Sequence, residues 1–182
     1  KEEGRPINGA NKLASGSQPI DGGFLIFDQA ERAQFLSQEP DAATWLRRFV
    51  GAEDFINGGE RWILALQDAP PSELRKMPKV RERLGAVRDF RSKSQRKSTL
   101  AIADQPTRFN VENLPESSFL AVPEVSSERR DYIPLGWLEP PAIPSNKLRI
   151  LPDASLWEFG VLTSRAHMAW LAHVGGRLES RF

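Results

Sequence analysis

Ser126, Ser127, Glu128, Arg129 and Arg130 stand in a row between two more apolar stretches. Two hydroxyls, a carboxylate and two guanidiniums on successive residues place hydrogen-bond donors and acceptors within one short turn. A tip of that kind suits reading the edges of bases or gripping phosphate. Tyr132, Ile133, Leu135 and Trp137 follow, and their pattern predicts a strand over about 131–138 that holds the tip against a core. Farther on, Lys147 and Arg149 alternate with Leu148 and Ile150, so a strand there carries both cations on one face. The plain alternative for the tip is a surface turn with solvated charges.

A second concentration of charge lies upstream. Residues 75–97 hold ten Lys or Arg against two acids, Glu82 and Asp89, a local +8 in a chain whose net charge is +1. Acids gather instead between Glu39 and Glu60. This asymmetry offers a face for a polyanion. Pro78 favours the start of a helix over about 78–94, with Val80, Leu84, Val87 and Phe90 inward. Arg81, Arg88 and Arg91 then face outward, with Lys93, Arg96 and Lys97 past the helix end. The excess is too one-sided for salt-bridge lacing. Arg88, Arg91, Lys93, Arg96 and Lys97 are therefore candidate phosphate contacts, against the alternative of a merely solvated helix face.

Several other chemistries lack their residues. There is no cysteine, which excludes disulfides and thiolate catalysis. His167 and His173 are six apart, off a common helix face, and no zinc-type spacing occurs. There is no nucleophile elbow and no nucleotide-binding glycine fingerprint behind a strand. No catalytic residue and no metal site is expected. His167 reads as a hydrogen-bonded packing residue, and the five tryptophans as mostly core-facing. No apolar run approaches the ~20 residues that span a bilayer, and the start shows no signal peptide. A cytoplasmic location without membrane contact is the expectation, and the abrupt ends suggest a piece of something longer.

The elements that must position these residues follow from the rest of the chain. Its 182 residues suit one domain with a real core. Residues 1–22 read as an extended leading segment, and residues 23–182 as the domain itself. Pro19-Ile-Asp-Gly-Gly23 is a strong turn. Residues 24–27 form a short strand or a lead-in to a helix over 29–38, which Asp28 and Glu31 cap reciprocally. That helix points Ala30, Ala33, Phe35 and Leu36 inward. Pro40 favours a second helix over 40–49, with Trp45, Leu46 and Phe49 on its apolar side. Gly51 and Asn57-Gly58-Gly59 read as breakers, and residues 61–66 as a strand. Ser72 caps a short helix running to Met77. Strands are predicted at 119–122 and 147–151, and two helices close the chain, one opened by Asp153-Ala154-Ser155 and one over 164–173. The pattern predicts an α+β fold, with a mixed or mainly antiparallel sheet in the second half and flanking helices.

Several segments together carry a resemblance. They are Arg5-Pro-Ile-Asn-Gly9, Pro19-Ile-Asp-Gly-Gly23, Phe49-Val-Gly-Ala-Glu-Asp-Phe-Ile-Asn-Gly58, Pro123-Glu-Val-Ser-Ser-Glu-Arg-Arg130, Ile133-Pro-Leu-Gly136, Pro152-Asp-Ala154 and Phe159-Gly-Val-Leu-Thr-Ser164, the last followed by His167-Met-Ala-Trp170 and Gly176-Arg-Leu178. In this order they resemble the region downstream of the catalytic domain in MmeI-like enzymes, the Type IIL restriction-modification proteins and related DNA adenine methyltransferases. The resemblance implies a DNA target-recognition module. Its parent would be an S-adenosylmethionine-dependent N6-adenine methyltransferase, and its partners double-stranded DNA and the methyltransferase domain of the same parent chain. The family's catalytic Asn-Pro-Pro-aromatic motif is absent, Glu139-Pro-Pro-Ala142 lacking both the amide and the aromatic. The fragment is thus expected to be no enzyme alone and to hold no cofactor.

The physics of that role agrees with the residues. Methylating an adenine requires extruding it while the flanking bases are read in the duplex. Ser126, Ser127, Glu128, Arg129, Arg130, Lys147 and Arg149 are the candidates for base reading, with Lys93, Arg96 and Lys97 better suited to phosphate. The competing expectation is a protein-interaction or scaffold domain that docks on the methyltransferase domain without reading bases.

Overall fold

A computed structural model describes residues 11–127 and 129–175. Residues 1–10, Glu128 and residues 176–182 lie outside the described residues, and with them the Arg5–Gly9 and Gly176–Leu178 motifs.

β1 (Ala14–Ser15) leads into the expected turn, where Gly22 and Gly23 take φ of 68° and 86°, values that side chains resist. After β2 (Ile26–Phe27), Asp28 caps α1 (Gln29–Gln38). The Glu31 N–H donates to the Asp28 carboxylate at 2.8 Å, and the Asp28 N–H donates to Glu31 at 3.2 Å. This is the reciprocal cap that the three-residue spacing predicts. α1 buries Phe35 against Phe27, ring centroids 4.8 Å apart, but leaves Ala30 and Ala33 exposed, contrary to the predicted face.

The largest departure from expectation comes next. Residues 40–49 are not one helix: Pro40–Trp45 is a 3-10 helix and Leu46–Val50 is β3. α2 (Ala52–Asn57) then occupies residues that read as lying between breakers, and Gly58 closes it in the left-handed conformation. β4 (Trp62–Leu64) follows. α3 (Pro71–Leu74) starts two residues earlier than a Ser72 cap would allow, because Pro71 itself takes the first helical position. α4 (Pro78–Ser92) and α5 (Lys97–Leu100) complete the first half. The second half contributes β5 (Phe119–Pro123), β6 (Gly136–Leu138), β7 (Ile143–Pro144), β8 (Leu148–Pro152), α6 (Leu156–Leu162) and α7 (Arg165–Val174). β6 is only the end of the strand predicted over 131–138. The preceding residues form the ordered connection that carries the chain back from the tip.

The strands form two four-stranded sheets, β1-β8-β5-β6 and β2-β4-β3-β7. Every pairing is antiparallel except that of β3 with β7. The fold is therefore α+β with mainly antiparallel sheets, and the first half supplies most of the second sheet. One core lies on that sheet, where Phe27, Ile63 and Leu64 meet Val80, Leu84 and Val87 of α4. A smaller core, with Val50, Phe119, Ala121, Leu148 and Ile150, lies on the other. Each fully buried aliphatic or aromatic side chain contributes about 1.5–3 kcal/mol.

The two cores meet where β7 hands over to β8. The Ser145 N–H donates to Val50 O at 2.8 Å, and Ser17 bridges in parallel to Ser145. No helix among the described residues is long and apolar enough to cross a membrane.

Candidate nucleic-acid interface

At that junction β5 ends, and residues 124–127 with Arg129 and Arg130 lie opposite α2. Between them opens a cleft of about 860 Å³. Glu53, Ile56 and Asn57 form one wall, and Ser126, Ser127, Arg129 and Arg130 form the other. Gly51, Arg61, Ser145 and Lys147 also line it.

An ion pair that sequence reading passed over holds the α2 side of the cleft in place. Asp54, 8% exposed, accepts the Gly51 N–H at 2.7 Å and the Arg61 Nε–H at 3.0 Å. Glycine at residue 51 leaves the room in which the Asp54 and Arg61 side chains meet. A Cβ there would stand 2.6 Å from Arg61 Nη2 and 2.9 Å from Asp54 Oδ2. Burial by itself would raise the Asp54 carboxyl, but the Arg61 guanidinium and the Gly51 N–H outweigh it and hold the group below the usual carboxylate range. Arg61 remains partly exposed, with its guanidinium carbon 5.6 Å from the centroid of the Phe49 ring. The available signal was an acid three residues after Gly51, the spacing of a capping box.

The opposite wall closes on Ser127. Its hydroxyl accepts the Arg129 N–H at 3.3 Å, and its carbonyl accepts the Arg130 N–H at 3.1 Å. Both arginine side chains are exposed, and neither has a side-chain partner among the described residues. Ser126 is 5% exposed, and its hydroxyl is buried without a hydrogen-bond partner among the described residues. Glu128, predicted to take part in the same tip, lies outside the described residues.

Lys147 and Arg149 are both exposed beside β8, as their alternation predicts, and both reach Glu124. Arg149 Nη2 lies 2.9 Å and Lys147 Nζ 3.7 Å from its carboxylate. Exposed pairs of this kind are weak and exchangeable. The two cations nonetheless part company: Lys147 lines the cleft, whereas Arg149 lines a neighbouring pocket of about 410 Å³ with Leu162, His167 and Leu171. Five of the seven candidates for base reading thus surround one cleft.

The basic segment corrects one expectation outright. Arg91 does not face outward from α4; it is fully buried. Its five N–H groups donate to five backbone carbonyls: Nε to Ile20 at 2.9 Å, Nη1 to Ile102 and Gln105 at 3.1 and 3.0 Å, and Nη2 to Pro19 and Arg108, both at 2.8 Å. Burial lowers its pKa and Asp21 opposes that, but a guanidinium keeps its proton. With every donor taken, Arg91 has nothing left for a phosphate. Phe90, predicted inward, is 44% exposed in its stead. Arg88, Lys93, Arg96 and Lys97 are exposed as predicted, and none of them lines the cleft.

Two further expectations divide. The His167 Nδ1–H donates to Leu162 O at 2.8 Å and the ring stacks near Trp170, which makes His167 the packing residue predicted. Trp45 and Trp62 pack on the first core, but Trp137, Trp157 and Trp170 are 38%, 60% and 60% exposed.

No group of three His, Asp or Glu side chains that could hold a metal occurs among the described residues. No glycine fingerprint of a nucleotide cradle follows a strand among the described residues: Gly16 and Gly51, which follow β1 and β3, face the chain's own Ser145 and Arg61 atoms and not open space.

Comparison with known proteins bears on this arrangement. The family model described as "MmeI, target recognition domain" matches residues 1–182. DNA methyltransferase A of Bacillus subtilis (strain 168) is 35% identical over 178 residues, which cover 98% of this chain and 20% of that protein. A solved structure of the Type IIL restriction-modification enzyme MmeI in complex with DNA superposes with a TM-score of 0.95 at 40% identity, covering 98% of this chain and 24% of that one. The chain thus spans a quarter or less of the length of these relatives.

Proposed function

The chain belongs to the MmeI target recognition domain family, and from that premise we propose that it reads duplex DNA sequence through the cleft between α2 and residues 124–130. The observation that carries this reading is the pair Arg129 and Arg130, exposed and without a side-chain partner among the described residues, on a tip that Ser127 closes. A side chain with every donor committed to protein partners cannot discriminate bases, whereas a guanidinium with open donors can give two parallel bonds to guanine O6 and N7. Ser127 offers a short hydroxyl at the same wall, the Ser126 hydroxyl lying buried behind it, and Lys147 adds a cation that Glu124 holds only loosely. Arg149 acts from the adjacent pocket, and Glu128 sits within the tip sequence. Arg88, Lys93, Arg96 and Lys97 contact phosphate along a separate face.

The parent protein is, on this reading, an S-adenosylmethionine-dependent DNA adenine methyltransferase of the restriction-modification type, working on cytoplasmic DNA. S-adenosylmethionine supplies the transferred methyl group and binds outside this chain. The target-recognition module then supplies the wall that reads the bases flanking an extruded adenine.

The test is base discrimination by the full-length parent, with Arg129→Ala and Arg130→Ala assayed on duplexes substituted one base pair at a time. Loss confined to one position, about 1–3 kcal/mol, is the expected result. Equal loss on every duplex would make these residues phosphate contacts.

One observation favours a protein partner as well. α6 and α7 bury no residue, yet expose Leu156, Trp157, Val161, Trp170 and Val174. An apolar surface of this kind marks a contact. It fits the methyltransferase domain of the parent, since the relatives carry at least three quarters of their length outside the matched region.

A further inference from the structure

We propose that α2 is a second base-reading wall, with Asn57 and Glu53 as specificity-determining residues opposite Arg129 and Arg130. The inference rests on the cleft being the recognition site and extends it to residues that no motif singles out.

Three observations carry it. First, Glu53 and Asn57 line the cleft together with Arg129 and Arg130, although residues 58–125 separate the two walls in sequence. Second, both side chains are exposed, and neither has a hydrogen bond or ion pair with a described residue. Two guanidiniums within the same cleft leave Glu53 unpaired, so its carboxylate stays available as an acceptor. Third, α2 is fixed at both ends. Asp54 ties it to Gly51 and Arg61, and the Gly58 and Gly59 N–H groups both donate to Asp54 O, at 2.8 and 3.0 Å. Free side chains on a rigid support are what discrimination requires, because a mobile support would accept the wrong base by shifting.

The chemistry of the two side chains complements the opposite wall. Arginine reads guanine, an asparagine amide pairs with adenine N6 and N7, and a glutamate accepts from cytosine N4. A cleft with arginines on one side and an amide plus a carboxylate on the other can therefore address both strands of a mixed sequence. Phosphate would repel Glu53, and Asn57 could bond it only as a neutral donor, so neither residue adds to the salt-dependent part of binding. That separates the prediction from a general affinity effect.

The experiment uses the full-length parent carrying Asn57→Ala, Asn57→Asp, Glu53→Ala or Glu53→Gln. Each is assayed for binding to duplexes substituted at every position of the recognised site. Both residues are exposed, and circular dichroism melting confirms that each variant is folded before it is scored. The expected result is a loss of discrimination of about tenfold or more at one base pair for each residue, at different base pairs, with the salt dependence unchanged. Unaltered discrimination at every position, or an even loss across all duplexes, overturns the proposal. If Arg129→Ala or Arg130→Ala shifts discrimination while all four α2 variants do not, the second wall fails and the recognition cleft stands. If none of the six shifts it, the cleft itself is not the reading site and both fall.

Discussion

On α4, Arg91 commits all five of its N–H donors to backbone carbonyls, whereas at the cleft mouth the Arg129 and Arg130 side chains have no partner among the described residues. The first lies in the most basic segment of the chain, where charge density pointed to phosphate. The second pair lies in a short tip that also holds a glutamate. Net charge along the sequence therefore misjudges which arginine is free for DNA. Hydrogen-bond saturation is the better guide. A guanidinium that joins residues 19–20 to residues 102–108 is a structural clamp, and one with open donors is available to a ligand.

Breaking the clamp should have the largest effect. Arg91→Ala strands five carbonyl acceptors in a buried site, and we expect a loss of about 3–5 kcal/mol in denaturant unfolding. Arg91→Lys should recover little of it, because three donors on a flexible stem cannot reproduce a planar five-donor fork. Variants at Arg129 and Arg130 should stay within about 0.5 kcal/mol of the parent chain in the same assay. Equal destabilisation by the two sets would erase the distinction.

The Asp54–Arg61 pair lies between these extremes, since it is structural but borders the cleft. Asp54→Asn should cost about 1–3 kcal/mol by weakening the hold on Arg61 and Gly51. The effect carries a pH signature. The folded carboxyl is held below its ordinary value, so the unfolded chain takes up the proton first as pH falls. The stability contributed is complete above the unfolded value near ~4 and is lost as pH drops through the folded one. The gap between wild type and Asp54→Asn should therefore hold above about pH 5 and narrow as pH falls below about 4. A gap that is constant with pH would show that the carboxylate charge contributes nothing.

The smallest expected effects belong to the exposed cations of the basic segment. Arg88→Ala, Lys93→Ala, Arg96→Ala and Lys97→Ala should each reduce the slope of log affinity against log salt by about 1 or less, evenly across sequences. A sequence-dependent loss from any of them would move base reading toward α4.

Much of this was legible in the residues, and the failures have physical causes. The reciprocal cap at Asp28 follows from its spacing to Glu31, α1 begins where that spacing puts it, and α6 starts directly behind the Asp153-Ala154-Ser155 opening. The helix predicted over 40–49 failed because β3 is defined by its partners: Arg47 pairs with Ile63, and Phe49 with Ile143. Such pairings lie outside any local window. Arg91 was readable after all. Val80, Leu84 and Val87 continue by a step of four to residue 91, not by three to residue 90, and α4 buries that row. The charge on residue 91 masked the periodicity. The cleft was half legible. Its arginine wall announced itself by composition, but α2 was hidden by the glycines on both sides of it.

The contrast between saturated and open donors can be put to one measurement. Duplexes selected from a randomised pool would be sequenced after binding to three forms of the full-length parent: unaltered, Arg129→Gln with Arg130→Gln, and Arg88→Gln with Lys93→Gln, Arg96→Gln and Lys97→Gln. The account predicts that the cleft variant selects a changed or relaxed sequence, while the α4 variant selects the original sequence with lower yield. A cleft variant that still selects the original sequence, or an α4 variant that selects a new one, would contradict it.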